Sequence, residues 1–308
     1  MPIIRDLCQL PESARGGAVA IGNFDGVHLG HVRIVRRLLE RAREVSGPAI
    51  VFTFDPHPVR ILRPAECPPP LTWTERKAQL LAELGVDRIV AYPTDEALLR
   101  LSATEFFEKI VLGALNARAM VEGPNFFFGH HREGNVDTLR ALTEQAGMSL
   151  DVVEPYRQEG QLVSSSLIRR LIGEGNVALA ARMLSVPYRI RGMVTHGAGR
   201  GAKLGCPTAN LEAVDTLLPA TGVYAGRAWL EKQPSAAAIS LGPNPTFGDG
   251  MLKVEVHLID QDETLYGQAL EVEFLQRLRD IVAFEDETAL AAQLQQDVAR
   301  ARRIASEN

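Results

Sequence analysis

The sequence has few cysteines, and the three that it contains (Cys8, Cys67 and Cys206) show no Cys-x-x-Cys spacing. An odd number of widely spaced thiols argues against a disulfide scaffold or a cysteine-rich zinc site, and it is typical of a protein of the reducing cytoplasm. No apolar run approaches the roughly 18 residues that a membrane helix needs. No signal peptide is predicted, because charged side chains interrupt the N-terminal segment. The net charge of −5 gives no long-range attraction to nucleic acid.

A chain of 308 residues, with 46% hydrophobic and 23% charged residues, suits a globular protein of two domains. In the first half, short apolar strands alternate with helical periodicity, which predicts an α/β domain whose parallel sheet is covered by helices on both faces. These strands are predicted at 18–21, 49–54, 88–92, 117–122 and 150–153. Ligands of such sheets bind beyond the carboxyl ends of the strands.

From Pro187 onwards the segments become short, alternating and punctuated by glycine. This pattern predicts a small closed antiparallel β-barrel. A last helix is predicted from about Asp286 to Ile304, with its apolar face formed by Ala289, Leu290, Leu294 and Val298. We therefore predict two domains, at 1–186 and 187–308.

The stretch from Gly22 to His31 (Gly-Asn-Phe-Asp-Gly-Val-His-Leu-Gly-His) joins the first predicted strand to a helix that begins near Leu29. Unpaired backbone N–H groups and the helix dipole favour an anion at such a turn. His28 and His31 are three residues apart, so both imidazoles can face one ligand. These features predict a phosphate site. Two other interpretations remain: a plain strand-to-helix turn, and histidines that are solvated or cap the helix.

Two further motifs follow later strands of the same predicted sheet. Residues 123–129 include three adjacent phenylalanines, which cannot all point into one core, so at least one is expected to be free to meet a planar ligand. The alternative is a buried aromatic turn. The serines Ser164, Ser165 and Ser166 precede an apolar periodic run and are predicted to cap a helix. They also offer donors to a phosphate, with the guanidinium of Arg169 as a forked cation.

The second half has its own glycine-rich segment at 196–205, which predicts either a phosphate-binding loop or a flexible surface loop. Immediately beyond it, Thr208 and Asn210 offer a hydroxyl and an amide oxygen two residues apart. These are hard oxygen ligands, suited to Mg²⁺ that is bound together with substrate phosphates. Glu255 lies on a strand that is predicted to be half buried, where a glutamate facing the surface is the default.

In order along the chain, these motifs resemble those of the bacterial bifunctional riboflavin kinase/FAD synthetase family, and Pro-Thr-Ala-Asn at 207–210 matches its kinase signature intact. The resemblance implies a Rossmann-like nucleotidyltransferase domain followed by a riboflavin kinase barrel. The catalytic residues that it implies are Glu255, His28, His31, Asn210 and Arg169. The implied ATP and flavin contacts are Gly22, Asn23, Phe24, Asp25, Gly30, Asn125, Phe128, Gly129, Arg132, Ser164, Ser165, Ser166, Gly199, Arg200, Gly201, Lys203, Gly205, Pro207 and Arg279. The implied metal ligands, for Mg²⁺, are Thr208 and Asn210.

The function that the resemblance implies is a pair of successive reactions. The second domain would convert riboflavin and ATP to FMN and ADP, and the first would convert FMN and ATP to FAD and pyrophosphate. The expected partners are these small molecules, without nucleic acid or membrane, and an oligomer is possible. Phe127 and Leu167 stand where the family often has a basic or polar residue and an arginine, respectively.

Two alternatives to this function stay open. A different nucleotidyltransferase or an aminoacyl-tRNA synthetase is one, although a synthetase would need a Lys-Met-Ser-Lys-Ser-type loop and an RNA-binding appendage. A flavin-binding module that has lost catalysis is the other. The histidine pair and the set of Thr208, Asn210 and Glu255 count against such a loss.

Overall fold

The structure is a computed structural model that describes residues 3–197, 200–230, 233–244, 246, 249–261 and 265–307. It divides into two compact units, the first formed by Met1–Pro68 with Trp73–Ser164 and the second by Pro69–Thr72 with Ser165–Asn308. The helices just after Ser164 are therefore part of the second compact unit. The division of function between 1–186 and 187–308 stays a prediction.

The first unit contains a six-stranded parallel sheet, as the alternation of strand and helix in the sequence predicts. Its strands are β1 (Ile3–Ile4), β2 (Ala18–Ile21), β3 (Ala49–Asp55), β4 (Arg88–Pro93), β5 (Ala119–Glu122) and β6 (Ser149–Val152). They lie in the order β1-β4-β3-β2-β5-β6, and every neighbouring pair is parallel. The edge strand β1 was not predicted, because two residues are too short to show a period.

Helices connect these strands. They are α1 (Leu29–Glu44), α2 (Pro58–Leu62), α3 (Thr74–Glu83), α4 (Glu96–Leu99), α5 (Ala103–Phe106), which continues as a π-helical stretch at Phe107–Ala114, and α6 (Val136–Gln145). α1 buries Val32, Val35, Leu38 and Ala42, the spacing of one helix face. The short hairpin of β7 (Arg157–Gln158) and β8 (Gln161–Leu162) follows β6.

The strand order reverses beside β2. The chain passes outward through β3 and β4 on one side of β2 and returns to β5 on the other. Ligand sites of open α/β sheets lie beyond the carboxyl ends of the strands at such a reversal. Gly22–His31 follows β2 and the loop at 123–135 follows β5, so both motifs lie where this rule expects a site.

The second unit is built around a closed barrel of six antiparallel strands in the order β10-β13-β12-β11-β14-β9. In chain order its elements are α7 (Ser165–Gly173), α8 (Val177–Met183), β9 (Tyr188–Thr195), α9 (Arg200–Lys203), β10 (Ala209–Glu212), β11 (Gly222–Leu230), β12 (Gln233–Asn244), β13 (Asp249–Leu258), β14 (Ala269–Arg279) and α10 (Glu287–Glu307). The barrel and the final helix are confirmed. The strand β10 was not predicted, because its four residues alternate too briefly to be recognised.

The buried face of α10 differs in part from the predicted one. Asp297, Ala301 and Ile304 are its buried residues. Leu290, Leu294 and Val298 are partly buried, as expected, but Ala289 is exposed, so its predicted inward position is wrong. The reason is helical periodicity: Leu290 and Leu294 lie seven and three residues before Asp297, whereas Ala289 falls off that stripe. Within the described residues, no helix is both long enough and apolar enough to cross a membrane.

Candidate functional site

The loop between β2 and α1 has a strained backbone. Phe24 and Val27 have positive φ angles of 47° and 40°, and Gly26 has one of 83°. A residue with a side chain costs on the order of 1–3 kcal/mol in such a conformation, and the cost is greatest for a β-branched one. Both side chains are anchored, since Phe24 is 3% exposed and Val27 is fully buried. Strain of this kind clusters at ligand sites, which supports the interpretation of this loop as one.

His28 forms the start of α1. Its Nδ1 accepts the backbone N–H of His31 at 3.3 Å, which makes it the N-cap of the helix. The capping interpretation is therefore confirmed, and it does not exclude a ligand, because a neutral imidazole that accepts through Nδ1 carries its proton on Nε2. The cap thus leaves Nε2 of His28 as a hydrogen-bond donor.

His31 stacks on His28, with ring centroids 3.6 Å apart and planes at 16°. Burial, followed by the charges of His28 and Lys77, holds the pKa of His31 well below its usual value, so this imidazole is neutral at pH 7. Its Nδ1 is buried and has no hydrogen-bond partner among the described residues, and the same is true of Oδ1 of Asn23. Unpartnered buried polar atoms are uncommon, and a polar ligand at this loop accounts for both.

Glycines keep the loop compact. A Cβ on Gly30 would lie 3.0 Å from Cε1 of His28, and a Cβ on Gly22 would lie 3.3 Å from the ring of Phe24. Asp25, which is 6% exposed, completes the set that the sequence predicts in this loop. The structure therefore brings Gly22, Asn23, Phe24, Asp25, Gly30 and both histidines together in one turn.

Two carboxylates that the motifs do not include lie at the carboxyl ends of the two strands that flank β2. Glu122 ends β5 and accepts the backbone N–H of Ile21 at 2.8 Å, directly before the Gly22 loop. Burial raises the pKa of Glu122 well above its usual value, although this hydrogen bond opposes the rise. Asp55 ends β3 and accepts hydrogen bonds from Arg5 at 2.7 Å and Thr74 at 3.0 Å. The sequence does contain a signal for both carboxylates, since each is an acidic residue at the end of an apolar strand.

The loop after β5 presents one ring and buries another. Phe128 is 7% exposed, and Phe126, stacked on it at 5.3 Å, packs against the core of the sheet. Phe127 is 44% exposed, which confirms that one of the three rings is free, and the guanidinium of Arg132 lies 4.5 Å from its centroid. The predicted ligand contact of Phe128 is thus not matched by an exposed ring.

The rest of this loop is fixed by close packing. Gly129 has φ of 76°, and a Cβ there would lie 2.5 Å from the backbone nitrogen of Ala103 in α5, so only glycine fits. Phe128 exchanges both backbone hydrogen bonds with Gly134, at 3.0 Å and 2.9 Å. Asn125 and Arg132 are exposed. Their predicted ligand contacts stay predictions.

The serine–arginine segment begins a helix, as predicted. α7 starts at Ser165, directly after Ser164. Nε of Arg169 donates to the carbonyl oxygen of Pro69 at 2.9 Å, within the second unit. The predicted phosphate contacts of Ser164, Ser165, Ser166 and Arg169 stay predictions.

The second unit contains a cavity with the other predicted set. Strand register brings this set together, because Asn210 in β10 lies directly opposite Glu255 in β13. Residues opposite one another in an antiparallel pair have Cβ atoms about 5 Å apart on the same face. Thr208, two residues before Asn210, extends the same face, and Thr208, Asn210 and Glu255 all line the cavity.

The strand β13 alternates as the sequence predicts. Val254 and Val256 are buried, while Lys253, Glu255 and His257 are half buried and line the cavity. Nδ1 of His257 donates to the carbonyl oxygen of Pro207 at 2.8 Å, which ties the segment before Thr208 to the strand. The sequence singled out Glu255 but gave no role to its neighbours Lys253 and His257.

The glycine-rich segment borders this cavity closely. A Cβ on Gly197 would lie 2.0 Å from Nδ2 of Asn210, and one on Gly201 would lie 2.4 Å from the carbonyl oxygen of Cys206. Gly205 has φ of 75°. The predicted contact Gly199 lies outside the described residues, and the side chains of Arg200 and Lys203 are not described either.

The opposite wall of the cavity is formed by α10 and the segment after β14. Its apolar side chains are Ile281, Val282, Phe284, Leu290, Leu294 and Val298. Arg279, at the end of β14, also lines the cavity, and its Nε donates to Oδ2 of Asp297 at 2.9 Å. Asp297 is 1% exposed and accepts a second bond from Gln293 at 3.0 Å. The sequence did not single out Asp297, although a carboxylate within the apolar stripe of a helix is a visible signal.

The oxygen atoms in this cavity suit a magnesium ion. Across the described residues no three side chains of His, Cys, Asp or Glu gather as a metal cluster. Mg²⁺ does not require such a cluster, because it keeps several waters and binds one or two protein oxygens together with substrate phosphates. The hydroxyl of Thr208, the amide of Asn210 and the carboxylate of Glu255 in one cavity fit that donor chemistry.

Family comparisons match the two halves of the chain separately. The family model described as FAD synthetase matches residues 10–167, and the one described as riboflavin kinase matches residues 184–305. The residues between these two matches contain most of α7 and α8.

Three curated relatives that are similar over nearly their whole lengths carry the name bifunctional riboflavin kinase/FMN adenylyltransferase. The protein of Pseudomonas fluorescens is 36% identical over 307 residues, covering 99% of this chain and 98% of the relative. That of Escherichia coli (strain K12) is 32% identical, covering 98% and 97%. That of Bacillus subtilis (strain 168) is 32% identical, covering 96% and 95%.

One solved structure is similar over the whole chain. It is a crystal structure described as a macrolide-efflux protein from Streptococcus pneumoniae, with a TM-score of 0.86, 30% sequence identity and 98% coverage of both chains. The likeness supports the architecture of both units.

Proposed function

This chain belongs to the family of bifunctional riboflavin kinase/FMN adenylyltransferases, and from that premise we propose how its two sites divide the work. The protein is a transferase that phosphorylates riboflavin to FMN and adenylylates FMN to FAD. We assign FAD formation to the strained loop of the first unit and FMN formation to the cavity of the second. The observation that carries this assignment is that each unit holds its own set of converging polar side chains.

In the adenylyl transfer, a phosphate oxygen of FMN attacks the α-phosphorus of ATP, and the bond from that phosphorus to the β-bridging oxygen breaks. The nucleophile is already an anion, so the site needs no general base. It needs donors that hold the phosphates in line. His28 through Nε2, His31, and the backbone N–H groups at the start of α1 would supply them. A neutral His31 fits the role of donor, because it can hydrogen-bond without being titrated near pH 7.

In the kinase reaction, the terminal ribityl hydroxyl of riboflavin attacks the γ-phosphorus of ATP, and the bond to the ADP oxygen breaks. A hydroxyl is a poor nucleophile, so a carboxylate that accepts its proton helps. Glu255 would take this role, with the apolar wall of α10 and Phe284 packing against the flavin ring. Arg279 is held by Asp297 and would therefore act from a fixed position.

Mg²⁺ is the metal that we propose for the kinase cavity, with Thr208 and Asn210 as its protein ligands. When bound, the ion would neutralise charge on the transferring phosphoryl group. We also propose the cytoplasm as the compartment, which the three free cysteines support. The expected small-molecule partners are riboflavin, FMN, FAD and ATP.

The direct test is to incubate the purified chain with riboflavin, ATP and Mg²⁺ and to separate the products by chromatography. We expect FMN to appear first and FAD to follow. If FMN forms without FAD, the assignment of FAD formation to the first unit is wrong. If FAD forms only when FMN is added, the assignment of FMN formation to the second unit is wrong. Binding of flavin without any product would support the alternative of a module that has lost catalysis.

A further inference from the structure

A buried lysine lies near the histidine pair, and no motif includes it. Lys77 is in α3, and its side chain is 8% exposed. Within the described part of the chain, its ammonium makes no hydrogen bond or ion pair. Lysines are almost never this buried unless they are paired, because a buried charge without a partner is costly. Lys77 therefore requires an explanation.

The start of α3 fixes where this lysine points. The hydroxyl of Thr74 donates to the carboxylate of Asp55 at 3.0 Å, so the first turn of α3 is attached to the carboxyl end of β3. Lys77 lies three residues later, on the same face of the helix. Its charge interacts with His31, with Asp25 and with Asp55. The ammonium therefore lies within electrostatic reach of two residues of the Gly22–His31 loop, His31 and Asp25.

The charge balance of the loop points to a role for this ammonium. His31 is neutral at pH 7, and the start of α1 offers only the equivalent of about half a positive charge. A triphosphate carries several negative charges, and the donors of the loop do not balance them. A charged ammonium on Lys77, which interacts electrostatically with His31, would add to the positive charge available to such a ligand. Burial lowers the pKa of Lys77, and the nearby carboxylates of Asp25 and Asp55 oppose this shift.

We propose that Lys77 is an anion-binding residue of the FAD-forming site, whose ammonium contacts the phosphate oxygens that leave as pyrophosphate. This inference rests on the assignment of FAD formation to the first unit. As the bond between the α-phosphorus and the bridging oxygen breaks, negative charge moves onto the departing pyrophosphate. Lys77 stabilises that charge by hydrogen bonds and transfers no proton.

The competing explanation is a structural one, in which Lys77 only balances the negative charges of Asp25 and Asp55. The two explanations differ in their effect on pyrophosphate. If Lys77 binds the leaving group, its removal weakens product inhibition by inorganic pyrophosphate. If it only supports the fold, the folded variant binds pyrophosphate as the wild type does.

The test uses the full chain with Lys77→Gln and Lys77→Met, the second being an apolar replacement that suits a buried site, and with Lys77→Arg as the conservative variant. FAD formation from FMN and ATP is measured with and without added pyrophosphate. We expect Lys77→Gln and Lys77→Met to lower kcat/KM for ATP about 100-fold, the effect of losing one charged donor in a transition state. The inhibition constant for pyrophosphate should rise at least about 10-fold, and Lys77→Arg should recover part of both losses.

The kinase activity of the same chain is the internal control, since Lys77 lies in the other unit. The kinase activity should stay within about twofold of the wild type, because substitutions at sites that share no interaction partners usually act independently. Unchanged pyrophosphate inhibition in folded Lys77→Gln or Lys77→Met would overturn the inference. A His31→Ala variant that keeps full FAD formation would instead overturn the site assignment itself, so the two failures are distinguishable.

Discussion

The two candidate sites hold their donors in different ways. In the first unit, the donors depend on one tight turn with three positive φ angles and on the start of a single helix. In the second, they come from two strands that are far apart in sequence, and the register of β10 against β13 brings Asn210 opposite Glu255. The difference follows the chemistry. A phosphate nucleophile needs N–H donors, which a turn offers, whereas a hydroxyl nucleophile needs a carboxylate beside a metal, which sheet register can place.

The largest expected effect breaks the first site alone. His28→Ala combined with His31→Ala should reduce FAD formation from FMN by more than about 1,000-fold, because each lost donor typically costs about 100-fold or more. FMN formation by the same protein should stay within about twofold, since it takes place in the other unit. Chromatography of the two products measures both rates. Loss of both activities would contradict two separate sites.

His28→Asn is the matched control for the helix cap. Asparagine is a good N-cap, so the thermal unfolding of this variant should match the wild type to within about 1 kcal/mol. It lacks Nε2, so FAD formation should still fall about 100-fold. A fully active His28→Asn variant would reduce His28 to its capping role.

The second-largest effect is expected from a substitution that disables the kinase site alone. Glu255→Gln keeps the size of the side chain but removes the proton acceptor, and we expect FMN formation to fall about 100- to 10,000-fold. Adenylylation of added FMN should be unchanged. If kinase activity persists at the wild-type rate, Glu255 is not the base.

A smaller effect on the kinase reaction is expected from a substitution that displaces Asn210, a proposed metal ligand, without removing it. In Gly197→Ala, the new Cβ would lie 2.0 Å from Nδ2 of Asn210, so the amide must shift. A displacement of this size in a positioned group can cost up to about 100-fold in rate, and we expect FMN formation to fall at least about 10-fold. Gly173→Ala is the control, because a Cβ there meets nothing within 4 Å. Equal kinase rates in the two variants would show that Asn210 needs no fixed position.

The smallest effect concerns stability and pH in the first unit. The pKa of Glu122 is raised well above 4.5 in the folded state, so the folded protein keeps a proton that the unfolded chain releases above that pH. Its contribution to the free energy of unfolding therefore falls as pH rises from about 4.5 towards the folded pKa. Glutamine cannot ionise, so Glu122→Gln should gain stability relative to the wild type at pH 8 compared with pH 4.

Fluorescence of Trp73 can report this change, since the other tryptophan, Trp229, lies in the second unit and can be replaced by phenylalanine in both proteins. Urea unfolding at several pH values then gives the difference in the free energy of unfolding between Glu122→Gln and the wild type. A difference that does not vary with pH would mean that Glu122 titrates normally in the folded protein.

Much of this arrangement was predictable from the sequence. The strand and helix periods gave the parallel sheet and the barrel, and the spacing of His28 and His31 indicated a shared ligand. Residues whose role depends on pairing across the fold were not predictable in this way. Asn210 could be named, but its position opposite Glu255 depends on β10, which is too short to be recognised. The partner of Arg279, Asp297, lies 18 residues away, and nothing local links the two.

The burial of individual side chains was also not predictable from the motifs. Phe128 matched a ligand-binding motif but lies in the core, while its neighbour Phe127 is exposed. Adjacent residues of an extended chain face opposite ways, so the motif indicates that one ring is free without indicating which. Lys77 could have been noticed in the sequence from its position in α3, although no motif includes it. It shares a helix face with Leu80 and Leu81, both buried, where a lysine is out of place.

The most direct test of two independent sites mixes two variants, each of which lacks one of the two activities. The His31→Ala variant should make FMN from riboflavin but no FAD, and the Glu255→Gln variant should make FAD only from added FMN. With riboflavin and ATP, neither variant alone should produce FAD at an appreciable rate, whereas their mixture should, with FMN appearing free in solution before it. A mixture that forms FMN but no FAD, or a single variant that lacks both activities, would contradict the account.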